Sequence, residues 1–328
     1  MANEATLADA ADKVAAAQRI LLSTHVSPDG DGIGSGLGLA QGLAAMGKEA
    51  VLAIADPVPA YLRFLPGGEG YVRSGEVNSE PWDVLISLDC GDWDRLGEAP
   101  GDRSLFGTII NLDHHRSNEQ YGDLNVVIPE ASATGLLAFQ LLRRIGAPVG
   151  PDAALCLYTA IATDTGFFRY SNTDVATFEA ATELVRAGAS PYAVHHALHE
   201  NNSAGRLRMM GEALRLLEFS GDGRIGMIAL DPEAYERADA SPDDAEGLVE
   251  LPRSVASVEV AVLLRPTPEH TAYKASLRSK KQVDVSQVAE RFGGGGHARA
   301  AGCRLELPLE QARDRLIAAI QEELNRAG

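Results

Sequence analysis

Histidine and aspartate recur at four places in the first half of the sequence. These are His25-Val-Ser-Pro-Asp29-Gly-Asp31, Asp89 in LDCGD, Asp113-His114-His115, and Asp164 in IATDTGFF. Together they offer oxygen and nitrogen ligands with no thiolate, a set suited to Mn²⁺ or Mg²⁺ rather than structural zinc. Carboxylates gathered at one point raise each other's pKa and need cations to coexist. Two divalent ions roughly 3.5–4 Å apart neutralise phosphoryl oxygens and activate a water, and a shared carboxylate fixes their spacing. The chemistry implied is hydrolysis of a phosphate ester.

Each motif also has a plainer reading. Asp29 and Asp31 among glycines are ordinary turn formers. An aspartate ending a strand, as Asp89 does, is often a helix N-cap. His114-His115 alone would pass as a solvent-facing pair, and Asp164 alone says little. Capping and turns do not readily produce all four in series.

The elements that must position these groups alternate. Apolar runs at Arg19–Thr24, Ala50–Ile54, Val84–Asp89, Thr108–Asp113 and Asn125–Ile128 predict strands. Helical patterns follow the first glycine loop to about Gly47 and cover about Thr134–Ile145, Asp152–Thr163 and Val175–Ala187. Alternation of this kind implies parallel βαβ units with both sheet faces covered. Ligands of such sheets gather beyond the C-terminal strand ends, where the polar motifs lie.

From Pro191 to about Ser220 the pattern is helical and more polar, and reads as a linker between domains. Strands recur at Ile225–Leu230, Val258–Leu264, Tyr273–Leu277 and near Cys303–Leu307, with helices at Val285–Phe292 and from Leu309 onward. The fold class expected is α/β. A Rossmann-like domain over 1–190 and a smaller α/β domain over 221–328 are joined by a helical linker over 191–220.

Composition narrows the class further. The 328 residues suit two domains, and 45% hydrophobic with 23% charged residues is ordinary for a globular protein. No run approaches the roughly 18 apolar residues of a membrane span, and the acidic, Ala-rich start does not read as a secretory signal. Cys90, Cys156 and Cys303 are few and scattered, which suits a reducing compartment such as the cytoplasm and small buried packing roles. A net charge of −17 argues against a general grip on long DNA or RNA. The span from Arg265 to Arg304 nevertheless carries eight basic residues against three acidic ones. A local basic window on an acidic chain suits a small anionic ligand better than a polymer.

The ordered set HVSPDGDGIGS, LDCGD, LDHH and ATDTGFF resembles the four motifs of the DHH phosphoesterase superfamily, and the later RSK and GGGGHARAAG resemble its DHH-associated C-terminal domain. The likeness spans nearly the whole chain and is nearest to the branch of oligoribonucleases and 3′-phosphoadenosine-5′-phosphate phosphatases. It implies two divalent ions, Mn²⁺ foremost with Mg²⁺ or Co²⁺ as alternatives. His25, Asp29 and Asp89 would hold one, Asp31, Asp89, His114 and Asp164 the other, with Asp89 between them. His115 would face the substrate phosphate and assist its departure as an acid. Asp113 would orient the histidines.

In the second domain, consecutive glycines expose backbone N–H groups and let a phosphate come close. A flexible turn is the plainer reading of Gly293–Gly296, and the surrounding basic residues shift the balance. The resemblance implies that Arg278, Gly295, Gly296 and His297 hold the nucleotide end of the substrate, a task suited to the arginine fork. Lys280, Lys281 and Arg299 are weaker candidates. Phe167, Phe168 and Tyr170 would border a cleft between the domains or pack in the core. Such a cleft would favour substrates of a few nucleotides. Cyclic dinucleotides such as cyclic di-AMP are the competing substrate class, and a non-catalytic nucleotide sensor is the competing function. Homodimerisation is a family expectation.

Overall fold

The computed structural model describes residues 2–68, 71–73, 77, 80–220, 222–267, 269 and 271–327. The chain divides into two compact units, 1–201 and 202–328.

The first unit runs α1 (Ala2–Ala16), β1 (Arg19–Thr24), α2 (Gly30–Ala44), β2 (Glu49–Ile54), β3 (Val72–Arg73), β4 (Trp82–Leu88), β5 (Phe106–Asp113) and β6 (Leu124–Val127). Four helices follow: α3 (Thr134–Arg144), α4 (Pro151–Asp164), α5 (Val175–Arg186) and α6 (Pro191–His199). The six strands form one sheet in the order β3-β2-β1-β4-β5-β6, and every neighbouring pair is parallel. The order reverses between β1 and β4, and His25 and Asp89 directly follow these two strands. A reversal of this kind opens a crevice at the carboxyl edge of an open parallel sheet.

Alternate residues of each strand feed opposite faces. Ile20 and Leu22 of β1 join the main core with Ile86 and Leu88 of β4. Leu21 and Leu85 pack on the other face with Trp82, Ala99 and Ile109. The sequence did not mark α1, yet Leu7, Ala10, Ala11 and Val14 are buried in the main core. Its small residues give too weak an apolar stripe for period alone to reveal it.

Glycines on one face of α2 let it meet α4 backbone to backbone. A Cβ on Gly34 would lie 2.5 Å from the Cys156 carbonyl, and one on Gly30 would lie 2.5 Å from the Thr163 hydroxyl. Gly38 approaches Ala153 and Leu157. Numbers rise along one helix as they fall along the other, so the two run antiparallel. The start of α2, with Asp31, therefore lies against the end of α4, with Asp164.

The second unit comprises α7 (Ala204–Arg215), β7 (Leu217–Phe219), β8 (Ile225–Ala229), α8 (Pro232–Ala238), α9 (Glu250–Arg253), β9 (Val260–Pro266), β10 (Tyr273–Ser279), α10 (Val285–Glu290), β11 (Gly295–His297), β12 (Ala300–Leu305) and α11 (Leu309–Ala327). Its sheet has the order β11-β12-β10-β9-β8-β7. It is antiparallel except where β8 meets β9.

Two sequence expectations change here. The helical pattern read through Ser220 ends at Arg215, and Leu217–Phe219 pair instead with Gly226–Ile228. The Ser220 amide bonds the Ile225 carbonyl at the end of that pairing (2.9 Å), and pairing overrides local helix preference. The glycine run is not only a turn, because Gly295–His297 form an edge strand on β12.

Candidate active site

Four chain segments deliver the eight acidic and imidazole groups named from sequence to one place. Asp89 is the centre. His25 Nε2 lies 3.6 Å from its Oδ2, whereas His114 Nε2 lies 3.6 Å from its Oδ1. The two carboxylate oxygens thus face two different donor sets. His25 also stands 3.9 Å from Asp29, and His114 stands 3.7 Å from Asp31 and 3.6 Å from Asp164. Ligands about 2.1 Å from one ion, at angles between octahedral and tetrahedral, sit about 3.0–3.4 Å apart. The observed spacings are a few tenths of an ångström wider, so small rotations would close each set on a cation. His25–Asp29–Asp89 and Asp31–His114–Asp164 are both groups able to hold a metal ion, and Asp89–His114–His115 is a third.

Local structure aims each ligand. The ring Nδ1 of His25 donates to the Val26 carbonyl (2.8 Å), and that of His114 donates to the Ala131 carbonyl (3.1 Å). A carbonyl can only accept, so Nδ1 carries the proton and the Nε2 lone pair turns to the carboxylates. Asp29 caps α2, accepting from the amides of Asp31 and Gly32. The plainer reading of a local capping role therefore holds for it, and its carboxylate also faces His25. Asp89 caps no helix. It follows β4 in left-handed backbone at φ +54, a conformation rare for a non-glycine residue and typical of functional sites.

Asp31 sits where two helices begin. It lies in the first turn of α2, and its carboxylate accepts from the amides of Thr134 (2.7 Å) and Gly135 (2.8 Å), which open α3. Helix N-termini favour an anion there. Thr134 also donates its hydroxyl to Asp89 (3.2 Å). Sequence reasoning missed these α3 contacts, for which the small residues of ASATG before an apolar helix were the available signal. It also missed Asn172, whose amide donates to the Ser132 carbonyl (2.9 Å) and the Asp164 carbonyl (3.2 Å).

The protein groups by themselves are electrostatically frustrated. Burial and then the Asp164 charge push Asp31 up to about 7. Burial and the charges of Asp31 and Asp29 push Asp89 well above the usual carboxylate range. Burial lifts Asp164 to about 6 despite the opposing pull of His114. Burial disfavours the charged form of His114, but Asp31, Asp164 and Asp89 outweigh it and raise that ring to about 9. Divalent cations relieve this repulsion, so the donor set fits metal ions.

Asp113 behaves oppositely. Burial alone would raise it, yet hydrogen bonds from His115, Asn118 and the local backbone hold it at about 2. It accepts from His115 Nδ1 at 2.7 Å and from the His114 amide at 2.7 Å. An ionised, hydrogen-bonded carboxylate behind an imidazole fixes its tautomer and orientation.

The aromatic residues after Asp164 divide. Phe167 and Phe168 pack on the main core, and Phe168 stacks on Phe178 at 5.4 Å. Tyr170 is exposed.

In the second unit, Arg278 on β10 pairs with Ala300 on β12, which pairs with His297 on β11. The three positions line up across the sheet; the His297 side chain lies outside the described residues. Gly295 and Gly296 are exposed, and Gly296 has φ +141. A Cβ on Gly296 would lie 2.6 Å from the Ala300 carbonyl. Arg278 Nη1 donates to the Leu277 carbonyl (3.0 Å), and its Nε lies 3.8 Å from Glu250. Part of the basic window is countered by acids elsewhere in the chain: Arg265 pairs with Glu246, and Arg291 pairs with Glu322 and Glu323. Lys280 and Arg299 donate to the Val255 and Val283 carbonyls.

A parallel sheet with a reversed strand order, carrying this aspartate–histidine cluster at its carboxyl edge, defines a class, and the chain belongs to the DHH family. Residues 19–161 match the DHH family, N-terminal domain, and residues 230–326 match the DHHA1 domain. The chain is 38% identical to the bifunctional oligoribonuclease and PAP phosphatase NrnA of Thermus thermophilus, over 94% of this chain and 91% of that protein. It is 26% identical to the protein of the same name from Bacillus subtilis, over 92% and 93%. Among solved structures, an exopolyphosphatase-related protein from Bacteroides fragilis superposes with a TM-score of 0.89 at 28% identity, covering 97% of this chain and 96% of that one.

Proposed function

We propose that this chain is a metal-dependent phosphoesterase that hydrolyses short oligoribonucleotides and 3′-phosphoadenosine-5′-phosphate. The observation that carries the reading is the Asp89 carboxylate, whose two oxygens face separate histidine–carboxylate sets. The names of the relatives support the substrate class.

His25, Asp29 and Asp89 would hold one divalent ion, and Asp31, Asp89, His114 and Asp164 the other. The oxygen and imidazole donors support Mn²⁺. Such a pair supplies charge neutralisation at the phosphoryl oxygens and water activation. Thr134 and Gly135 hold Asp31 in place, and the Nδ1 bonds of His25 and His114 fix their rings. His115 is oriented by Asp113 through Nδ1, so proton transfer to the departing oxygen runs through Nε2. In this reading the first unit carries catalysis, and Arg278 with Gly295, Gly296 and His297 in the second carries recognition of the nucleotide end.

The exposed apolar side chains of α5, Val175, Phe178 and Val185, support a homodimer. All three cysteines are buried and unpaired, which supports a cytoplasmic setting. Among the described residues no helix is long and apolar enough to cross a membrane.

Phosphate or nucleotide release under Mn²⁺ from a dinucleotide, a pentanucleotide, 3′-phosphoadenosine-5′-phosphate and cyclic di-AMP tests the function. Turnover of the first three ahead of the cyclic compound is expected. Binding without turnover of any would identify a sensor instead.

A further inference from the structure

Asp89 holds its left-handed backbone at a strand end with no glycine to ease it, so something must lock the peptide that follows. Three side chains converge on that peptide. The Cys90 carbonyl accepts from Asn111 Nδ2 (3.1 Å), the Tyr121 hydroxyl (3.1 Å) and Asn118 Nδ2 (3.3 Å). Tyr121 also bonds the Ser87 hydroxyl, so one phenol grips the chain on both sides of Asp89. Asn118 donates as well to Asp113 Oδ2, the carboxylate that orients His115, and accepts from the Gln120 amide (2.7 Å). Both of its amide hydrogens are engaged, and its oxygen accepts once. The backbone repeats the docking, with the Glu119 amide on the Gly91 carbonyl at 2.8 Å. None of these side chains belongs to the metal-holding groups.

We infer that Asn118 and Tyr121 are positioning residues, which clamp the Cys90 carbonyl and so fix the Asp89 carboxylate relative to the Asp113–His115 pair. The inference rests on the reading of Asp89 as the shared metal ligand. A buried network with every donor engaged rigidifies what it holds, and a carboxylate serving two ions tolerates little rotation. Loosening the clamp weakens metal binding and turnover and leaves substrate affinity alone.

The test compares Tyr121→Phe, Asn118→Ala, Asp89→Asn and Lys48→Met in the full-length protein. Lys48 donates to the Ala15 and Ala17 carbonyls, at the sheet edge opposite the site. Its loss reports fold stability alone. Mn²⁺ affinity is read by calorimetry on the metal-free protein, Tm by thermal melt, and kcat and KM on a dinucleotide at saturating Mn²⁺. Tyr121→Phe and Asn118→Ala should each weaken Mn²⁺ binding and lower kcat by about tenfold, with KM nearly unchanged. Lys48→Met should lower Tm with Mn²⁺ affinity intact. Wild-type Mn²⁺ affinity in both Tyr121→Phe and Asn118→Ala, while Asp89→Asn loses it, overturns the clamp. Retention of Mn²⁺ affinity by Asp89→Asn overturns the shared-ligand reading itself.

Discussion

The two units handle charge in opposite ways. In the first, Asp31 and Asp89 are almost fully buried at 2% exposure, and each is pushed up by that burial and by neighbouring carboxylates against the partial relief of His114. In the second, the positive charges stay near the surface, and several lean on a carboxylate or a backbone carbonyl. Buried like charges persist only where a ligand is meant to complete them, so the first unit is poised for cations. Surface pairs are easily broken and contribute little by themselves, so in the proposed function the second unit would exchange a carboxylate for a phosphate. Tight metal capture and reversible substrate holding are the expected division.

That contrast breaks most sharply at Asp89. Asp89→Ala should lower kcat by on the order of 10³-fold or more, because both donor sets lose a ligand. Metal content measured by atomic emission should fall with it. Retained activity would show that the buried cluster is not the catalytic centre. His115→Ala should cost about 10²-fold or more in kcat at unchanged metal content, the size of a lost general acid. Steady-state kinetics with metal analysis checks this.

Arg278→Ala should raise KM by about tenfold and leave kcat nearly intact, as a ligand-holding charge does. An equal loss in kcat would blur the contrast between units. Lys281→Ala, on the exposed surface beside it, should change KM by less than about twofold.

The pH dependence sharpens the same comparison. Asp31 and Asp164, at about 7 and about 6, lie above the ordinary aspartate value of 3.8, and His114, at about 9, lies above the ordinary histidine value of 6.5. In each case the folded metal-free protein binds protons more tightly than the unfolded chain. Their contribution to stability is present at low pH and is lost as pH rises from about 4 through about 9. Asp113, held at about 2, acts in the opposite sense but only below about 4. Metal ions displace those same protons, so Mn²⁺ affinity should rise across this window. Thermal melts with and without Mn²⁺ between pH 5 and 9 should show a growing gap. A gap independent of pH would sink the assignment of these groups as ligands.

Sequence alone made the aspartate–histidine cluster legible, since these residues at strand ends have few other uses in combination. The sequence made the parallel sheet legible through its apolar strand runs, because strands buried on both faces read as continuous apolar stretches. The expected alternation with helices holds only at α2, and the other α-helices of this unit precede β1 or follow β6. The sequence did not expose α1, whose alanines carry little periodic signal, nor β7, whose residues pair only because the hairpin turn brings β8 alongside. The basic window shows the limit of counting charges along a chain. Arg265 and Arg291 meet their acids at Glu246, Glu322 and Glu323, all of them outside that window.

What the residues themselves dictated was the chemistry: which groups could bind a cation, and that no thiolate was among them. What only folding decided was their aim. The antiparallel contact of α2 with α4 brings Asp31 to Asp164, the amides opening α3 anchor Asp31, and Asn118 with Tyr121 grips the peptide after Asp89. Ligand identity is a property of one side chain and survives in the linear text. Orientation depends on carbonyls and amides from distant segments, and every residue has these, so no sequence pattern singles them out.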